Sequence, residues 1–415
     1  MLTLRLSRMT LAIALCTSAG TAFAGAQSFN TARSLAMGGT GVAIAHPATA
    51  NSANPAMLAA HNHDWADDFG LIVPSVNARY ADDEQTVDQV DAIQNTIDRI
   101  NNASTVSDAQ AGAASLQQQL RAIDRDTARV DAGVGLSLAV PSRSVAVGVF
   151  TNGNLRATVQ GQYDPNDDAL LQSIVDGTPP PPNFEDSLKS RARVLASAVA
   201  EVGVSLAHNY SLDNGNNLQL GVSPKYVELR TYQYTESVSG FNDSSFDSSE
   251  NQTRKSGFNL DLGAAYAFGE TGQWNAGVAI KNVIPMTLDS AASRPLQGEQ
   301  VRTLKLDPQV TVGLAHTGQY HVLTAEVQLT KNKAFGYEDD TQWLALGAEF
   351  DAFRYAQLRI GARHNLASNN SSRGIGETSQ LTFGIGLSPF GARLDLAGLI
   401  SDTDTGAAIE LGAAF

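Results

Sequence analysis

Leu381-Thr-Phe-Gly-Ile-Gly-Leu-Ser388 places Leu381, Phe383, Ile385 and Leu387 on one side of the chain and Thr382, Gly384, Gly386 and Ser388 on the other. A period of two is the strand period, and here one face is apolar while the other is small or polar. The alternation recurs. Leu260, Leu262, Ala264, Tyr266 and Phe268 oppose Asn259, Asp261, Gly263, Ala265 and Ala267. Leu218, Leu220 and Val222 oppose Gln219, Gly221 and Ser223, and Leu358, Ile360 and Ala362 oppose Gln357, Arg359, Gly361 and Arg363. From about Arg129 onward the whole chain divides into such segments, each roughly ten residues long, the length of a strand that crosses a membrane.

A soluble β-sandwich alternates too, so the connections must decide. Short turns at Pro141–Ser144, Asp213–Gly215, Gly269–Gly272, His316–Gly318, Asp351–Phe353 and Pro389–Gly391 take turns with longer polar stretches near 82–128, 164–190, 236–255, 285–303, 333–340, 368–377 and 402–405. Short connections at one end and long ones at the other characterise outer-membrane barrels. Counting from Phe69–Tyr80 to Phe415 gives about fourteen strands, an even number that leaves both chain ends on the periplasmic side. The expected fold is all-β: a transmembrane antiparallel β-barrel over 69–415 with an N-terminal plug segment at 25–68. In the last strand Ile409, Leu411, Ala413 and Phe415 share a face. A terminal aromatic on an amphipathic strand has the form of the signal read by the outer-membrane assembly machinery, which makes Phe415 the expected targeting residue and that machinery an expected partner.

The N-terminus fits the same compartment. Arg5 and Arg8 form a positive n-region, Leu11 to Cys16 an apolar core, and Ala22-Phe-Ala24 a cleavage signal, so residues 1–24 read as a Sec-type signal peptide cut near Ala24–Gly25. Cys16 could suggest lipid attachment, but Leu15 stands where a small residue is wanted. It is the chain's single cysteine, so the mature protein has no thiol for disulfides, catalysis or metal. Losing Arg5 and Arg8 takes the formal charge from −14 to −16, which argues against nucleic acid as a partner. Beyond the signal peptide no uncharged apolar run approaches the roughly 20 residues of a membrane-spanning helix. Lipid is therefore the expected surrounding of the strands.

One region breaks the strand period. Between 84 and 123, Val87, Val90, Ile97 and Ile100, then Leu116, Leu120 and Ile123, recur at helical spacing around a polar Asn101–Ser104 stretch. This predicts a helical hairpin in the first outer loop, serving either as a cap on the barrel mouth or as a ligand or partner contact. Pro179–Pro182, in the second outer loop, cannot join a ladder and reads as a stiff exposed stretch.

The segment from Phe29 through Gly38-Gly-Thr-Gly41 to Asn54-Pro-Ala56 is too rich in Gly and Ala for a domain and too apolar for a free tail. It resembles the Gly/Ala-rich plug and Asn-Pro-Ala motif of the FadL superfamily of outer-membrane channels. Val222-Ser-Pro-Lys-Tyr226, Lys281-Asn-Val-Ile-Pro285, Leu344-Ala-Leu-Gly-Ala-Glu-Phe350, Arg363-His-Asn-Leu366 and Leu387-Ser-Pro-Phe-Gly391 resemble a narrower group within it, the TraF-type proteins named after a plasmid transfer operon. The resemblance implies a plug in the lumen, hydrophobic ligands captured from outside, and release sideways through a strand kink. It makes Phe29, Asn54, Pro55 and Ala56 candidate ligand or plug residues.

Pro224 interrupts the strand from Leu218, and beyond it Val227 and Leu229 replace Leu220 and Val222 as the apolar phase. Pro224 and Lys225 are therefore expected to mark a bulge, forming either a lateral opening or a bend in the wall. Glu201, Glu349, Arg359, Arg363, Arg393, Asp395 and Glu410 fall on inward faces, where they could line a polar path or hold the plug. His61, His63 and Asp64 are close enough to suggest a metal, yet no further ligand is evident, so a solvated linker is the expectation and no metal is assigned. Gly38-Gly-Thr-Gly41 lacks the Gly-Lys-Ser/Thr ending of a phosphate loop. No Gly-x-Ser-x-Gly elbow or His-Glu-x-x-His helix occurs, so no enzyme and no cofactor are expected, although a lipid-acting barrel enzyme needs neither motif. The leading expectation is a channel for passive uptake of small hydrophobic compounds. The alternative is an assembly, secretion or surface protein acting through its long outer loops.

Overall fold

A computed structural model of the chain describes residues 30–60, 70–140, 142, 145–240, 248–352, 355–369 and 374–414. The cleavage site, Phe29, His61, His63, Asp64 and Phe415 lie outside these residues. Two short helices come first, α1 (Ala32–Ala36) and α2 (Pro47–Ala53), followed by a 3-10 turn at Pro55–Ala59. Fourteen strands then close into one antiparallel barrel. They are β1 (Gly70–Ala81), β2 (Thr127–Val140), β3 (Ala146–Gln162), β4 (Arg191–Ser211), β5 (Asn217–Ser237), β6 (Gln252–Phe268), β7 (Trp274–Lys281), β10 (Gln309–Thr317), β11 (His321–Gln328), β12 (Trp343–Ala352), β13 (Ala356–Asn365), β14 (Ser379–Leu387), β15 (Ala392–Ser401) and β16 (Asp404–Ala414). Two further strands, β8 (Met286–Asp289) and β9 (Thr303–Leu306), form a hairpin of their own inside the loop between β7 and β10. The strand count and the division into short and long connections match the expectation from the sequence.

The burial pattern is inverted relative to a soluble protein. Phe383, Ile360 and Leu346 are more than half exposed, whereas Thr382 and Gln380 on the opposite face are 1% exposed. A belt of exposed Val, Leu, Ile and Phe around a closed sheet suits lipid, because closure of the sheet leaves no strand edge and the outer face carries apolar side chains. At the short-turn end the belt finishes in stacked rings: Tyr266 on Phe268 at 5.6 Å, Phe268 on Trp274 at 6.4 Å, and His316 edge-on to Trp274 at 4.7 Å. Amphipathic rings of this kind settle at the membrane–water interface.

At the long-loop end β3 to β6 outgrow the others, reaching 21 residues in β4 and β5. Their inner faces there change from polar to apolar. Leu195, Val199, Val227 and Leu229 pack on Met286, Leu304 and Leu306 of the β8–β9 hairpin and on Phe335 and Tyr337. The first two outer loops supply a helical cap: α3 (Thr86–Asn101), α4 (Val106–Ala122) and α5 (Asn166–Val175). Asp82 starts α3 by accepting the Thr86 and Val87 amides, and Thr105 starts α4 by accepting that of Asp108. Ile93, Ile97 and Ile100 meet Ala113, Leu116 and Leu120, closed over by Leu171, Ile174 and Phe184. Gly112 makes the approach possible, since a Cβ there would come within 2.6 Å of Ile100.

Candidate functional site

The lumen is occupied by residues 30–60, and the wall is shaped to receive them. A Cβ on Gly263 would come within 2.0 Å of Asn54 Oδ1, one on Gly277 within 2.3 Å of the Val42 oxygen, and one on Gly361 within 2.2 Å of the Gly38 nitrogen. Gly221 and Gly384 are equally close to Pro55–Ala56 and Ala36. The small inward face read from the sequence is therefore the footprint of the plug. The plug in turn bends through Gly38 and Gly39, both at positive φ, where any side chain is strained.

Polar contacts fix each part of the plug. Thr31 caps α1 by accepting the Ser34 amide at 3.3 Å, and Arg33 makes two bonds to Glu349 at 2.9 and 3.0 Å. Glu349 also accepts from Arg359, which pairs with Asp395, which pairs with Arg393. Glu410 accepts the Ala32 amide and the Ser75 hydroxyl, both at 3.1 Å. The Glu326 carboxylate receives three consecutive plug amides, from Gly41, Val42 and Ala43, at 2.9, 2.6 and 3.1 Å. Asn54 has no exposed surface. Its Nδ2 donates to the oxygens of Val42 and Ala264, and its Oδ1 accepts the Ala56 amide, opening the 3-10 turn in which Pro55 is the first residue. Asn54, Pro55 and Ala56 thus lie at the joint between plug and β5–β6 and line none of the three cavities described below.

A second network sits above the plug. Arg79, Arg129 and Arg156 are bound to Asp131, Glu338, Glu377 and Asp404, and so tie the loops at 329–342 and 366–378 to the wall. Burial alone would push the Glu377 carboxyl up, but Arg129, Arg79 and Arg156 outweigh it and bring it down to about 2. Glu201 lies apart from both networks, paired through Lys225. Arg33, Glu326 and the upper arginines were not singled out from the sequence. The inward/outward rule that marked Glu349 also puts Glu326 indoors, between Thr324 and Gln328, so that residue was readable. Arg33 was not, because its partner is 316 positions away.

The expected bulge at Pro224 is absent. On both sides of it β5 keeps one register with β4, Gly203 opposite Lys225 and Leu206 opposite Val222, and Pro224 itself stays opposite Leu260 of β6. Only the two pairs at Val204 and Ser205 drop out of the β4–β5 ladder. The phase change that suggested a bulge has another cause: Val227 and Leu229 point inward because the strand has left the membrane and packs on the β8–β9 hairpin. Among the described strand pairs the register shifts only in β1, between Ile72 and Ser75, around Pro74 and against both neighbours. That irregularity lies beside the Ser75–Glu410–Ala32 contact, where α1 begins.

Among the described residues, cavities around the plug include three of about 70, 50 and 50 Å³. Each is smaller than the roughly 150 Å³ that accommodates a benzene ring. Their walls carry Arg33, Lys281, Gln309, Glu326, Gln328 and Arg363 together with plug backbone.

A closed fourteen-stranded barrel of outer-membrane type, filled by its own N-terminal segment, is the class these features define. The chain belongs to the family of the TraF protein of the F plasmid transfer operon, whose model matches residues 52–327. Similar solved structures include the monoaromatic hydrocarbon channel CymD, 12% identical, with a TM-score of 0.52, covering 93% of this chain and 97% of that one. The deltaS2S3 mutant of the monoaromatic hydrocarbon channel TodX is 13% identical with a TM-score of 0.50 over 93% and 97%. A FadL homologue of Pseudomonas aeruginosa is 12% identical, TM-score 0.48, over 95% and 99%. At these identities the likeness to CymD and to the TodX mutant is one of fold alone. No curated protein sequence matches the chain.

Proposed function

We propose that the chain is an outer-membrane channel for passive uptake of small hydrophobic compounds, which leave the barrel sideways through the wall at β1. The observation that carries this reading is the register shift at Ile72–Ser75, set against a plug whose first helix is bonded to the same place through Glu410. A bulge removes ladder bonds locally and re-aims the strand, so the wall is weakened where the plug is tethered. The cavities are too small for a straight path past the plug, which favours a sideways exit. CymD and TodX are called hydrocarbon channels and share this architecture. In this reading the mature chain starts near Gly25, reaches the outer membrane through its Phe415-ended last strand, and needs no reacting group or cofactor.

The test is uptake of a labelled monoaromatic hydrocarbon by Gram-negative cells with intact lipopolysaccharide and no channel of their own. Expression of the chain raises the initial rate under this reading; an unchanged rate at a verified surface level refutes it. The plug-filled lumen and the helical cap favour a second reading, an assembly, secretion or surface role of the outer loops. Deleting 86–122 separates the two, because loss of a surface phenotype with hydrocarbon uptake intact supports the second.

A further inference from the structure

Inside the lumen Arg33, Arg79, Arg129, Arg156, Arg359 and Arg393 each lie within ion-pair distance of a carboxylate. Arg363 differs. It is 7% exposed, and among the described residues no carboxylate reaches its guanidinium. Its Nε donates to Gln380 Oε1 at 2.6 Å, and the group lies over the Trp343 ring at 4.4 Å. The remaining nitrogens have no hydrogen-bond partner among the described residues, and Arg363 lines two of the three cavities. A Cβ on Gly39 would stand 3.3 Å from its Nη1, so the plug turn closes one side of the space. The neighbouring cavity shares Gly39, Thr311, Glu326 and Gln328 with this one. It adds Lys281, which has no ion-pair carboxylate, and Gln309, whose buried Nε2 has no hydrogen-bond partner, both among the described residues.

A guanidinium removed from water without a counter-charge in contact with it is costly, and an unfilled donor beside it adds to that cost. Acids nearby do not supply the charge. Glu326 is turned to the plug amides, Asp131 is held by Arg79 and Arg156, and Glu377 and Asp404, which lie near Arg363 but beyond ion-pair distance, are held by Arg79 and Arg129. The free fork of an arginine, stacked on an aromatic ring and facing a polar space, has the geometry that takes a carboxylate through two parallel bonds.

We propose that Arg363 binds a small carboxylate anion in the lumen, between the Gly38–Gly39 turn of the plug and the Trp343 ring. The two cavities that Arg363 lines, of about 50 Å³ each, limit the ligand to a short chain. The site goes beyond the transport reading and does not depend on it, because binding is measured on the purified barrel without flux.

The experiment uses the full mature chain in detergent, with Trp65→Phe and Trp274→Phe leaving Trp343 as the sole tryptophan. Sodium propionate is titrated against propionamide, its neutral counterpart, at ionic strength matched with sodium chloride. The expected result is a saturable change in Trp343 emission with propionate and none with propionamide. Arg363→Gln weakens propionate by about tenfold or more, and Arg363→Lys retains part of the affinity, since an ammonium keeps the charge but loses the fork. Heat-modifiable migration verifies that each variant is a closed barrel. No saturable response to propionate, an equal response to propionamide, or an unchanged affinity in Arg363→Gln would overturn the proposal.

Discussion

Among the described barrel strands two carry a proline, and only one of the two prolines goes with a shift of register. Pro224 sits in the middle of the 21-residue β5, and the register on its two sides is the same. Pro74 sits in the 12-residue β1, and the register on its two sides differs by one residue against both β16 and β2. Each proline removes one ladder donor, so the lost bond does not explain the difference. What differs is the set of side chains stitching the strands around it. Next to Pro224, Lys225 bridges Glu201 of β4 at 2.7 Å and Asp261 of β6 at 2.9 Å, while the Ser205 and Ser223 hydroxyls meet at 2.6 Å across the very pairs the ladder drops. Three strands are pinned from the inside. Next to Pro74 the nearest described polar contact, Ser75 to Glu410, is shared with the plug, and the clamp on β1 lies higher, where Arg79 meets Glu377 at 2.9 Å. A proline in a strand is thus permission for a bulge, and cross-strand side chains decide whether it forms.

The largest test of this comparison is Lys225→Met. It leaves Glu201 and Asp261 without their cation and should cost about 3–5 kcal/mol. It should also bring the β5 register into question, read as loss of protected amides around Pro224 in hydrogen exchange. A variant that unfolds in urea like the parent would show that the stitch does not hold the strand. Next comes the clamp above Pro74. Glu377 is held down to about 2 in the fold, below the value near 4.3 of a free glutamate, so its contribution is complete above that pH and disappears as pH falls toward 2. The loss amounts to about 3 kcal/mol, at roughly 1.4 kcal/mol for each pH unit separating the free and folded carboxyl. Urea midpoints of the parent should drop across that window, while those of Glu377→Gln should start lower and drop less. Glu410→Gln weakens two contacts at once and should cost about 1–2 kcal/mol, visible as faster exchange of the Ala32–Ala36 amides with little change elsewhere. Ser223→Ala is the mildest, at about 1 kcal/mol, and should leave the register intact because Lys225 remains.

The same two regions show how far the sequence could be read. The lipid face, strand number and loop asymmetry follow from a local rule, the period of two, so they were legible. The rule failed where a second apolar partner replaced lipid: Val227 and Leu229 look like a slipped phase until the β8–β9 hairpin is seen against them. It was silent at Pro74, although three consecutive apolar residues, Leu71-Ile72-Val73, already depart from alternation there. The glycines were visible as a small face, but their purpose depends on which plug atom each one meets, a contact across 209 residues for Asn54 and Gly263 that no local pattern encodes. The charged residues divide the same way. Glu349, Arg359, Asp395 and Glu410 could be placed indoors one by one, whereas their pairing depends on a register fixed only by closure of the sheet.

The most direct test of the central claim, that the wall opens at β1 and not at β5, is hydrocarbon uptake by two variants expressed at equal surface levels. Deleting Pro74 removes the extra residue and lets β1 pair evenly; Pro224→Ala restores one donor in a wall already in register. The account predicts uptake reduced about tenfold or more in the first, with the barrel still heat-modifiable, and unchanged in the second. Uptake that survives the deletion of Pro74, or that falls with Pro224→Ala, would contradict it.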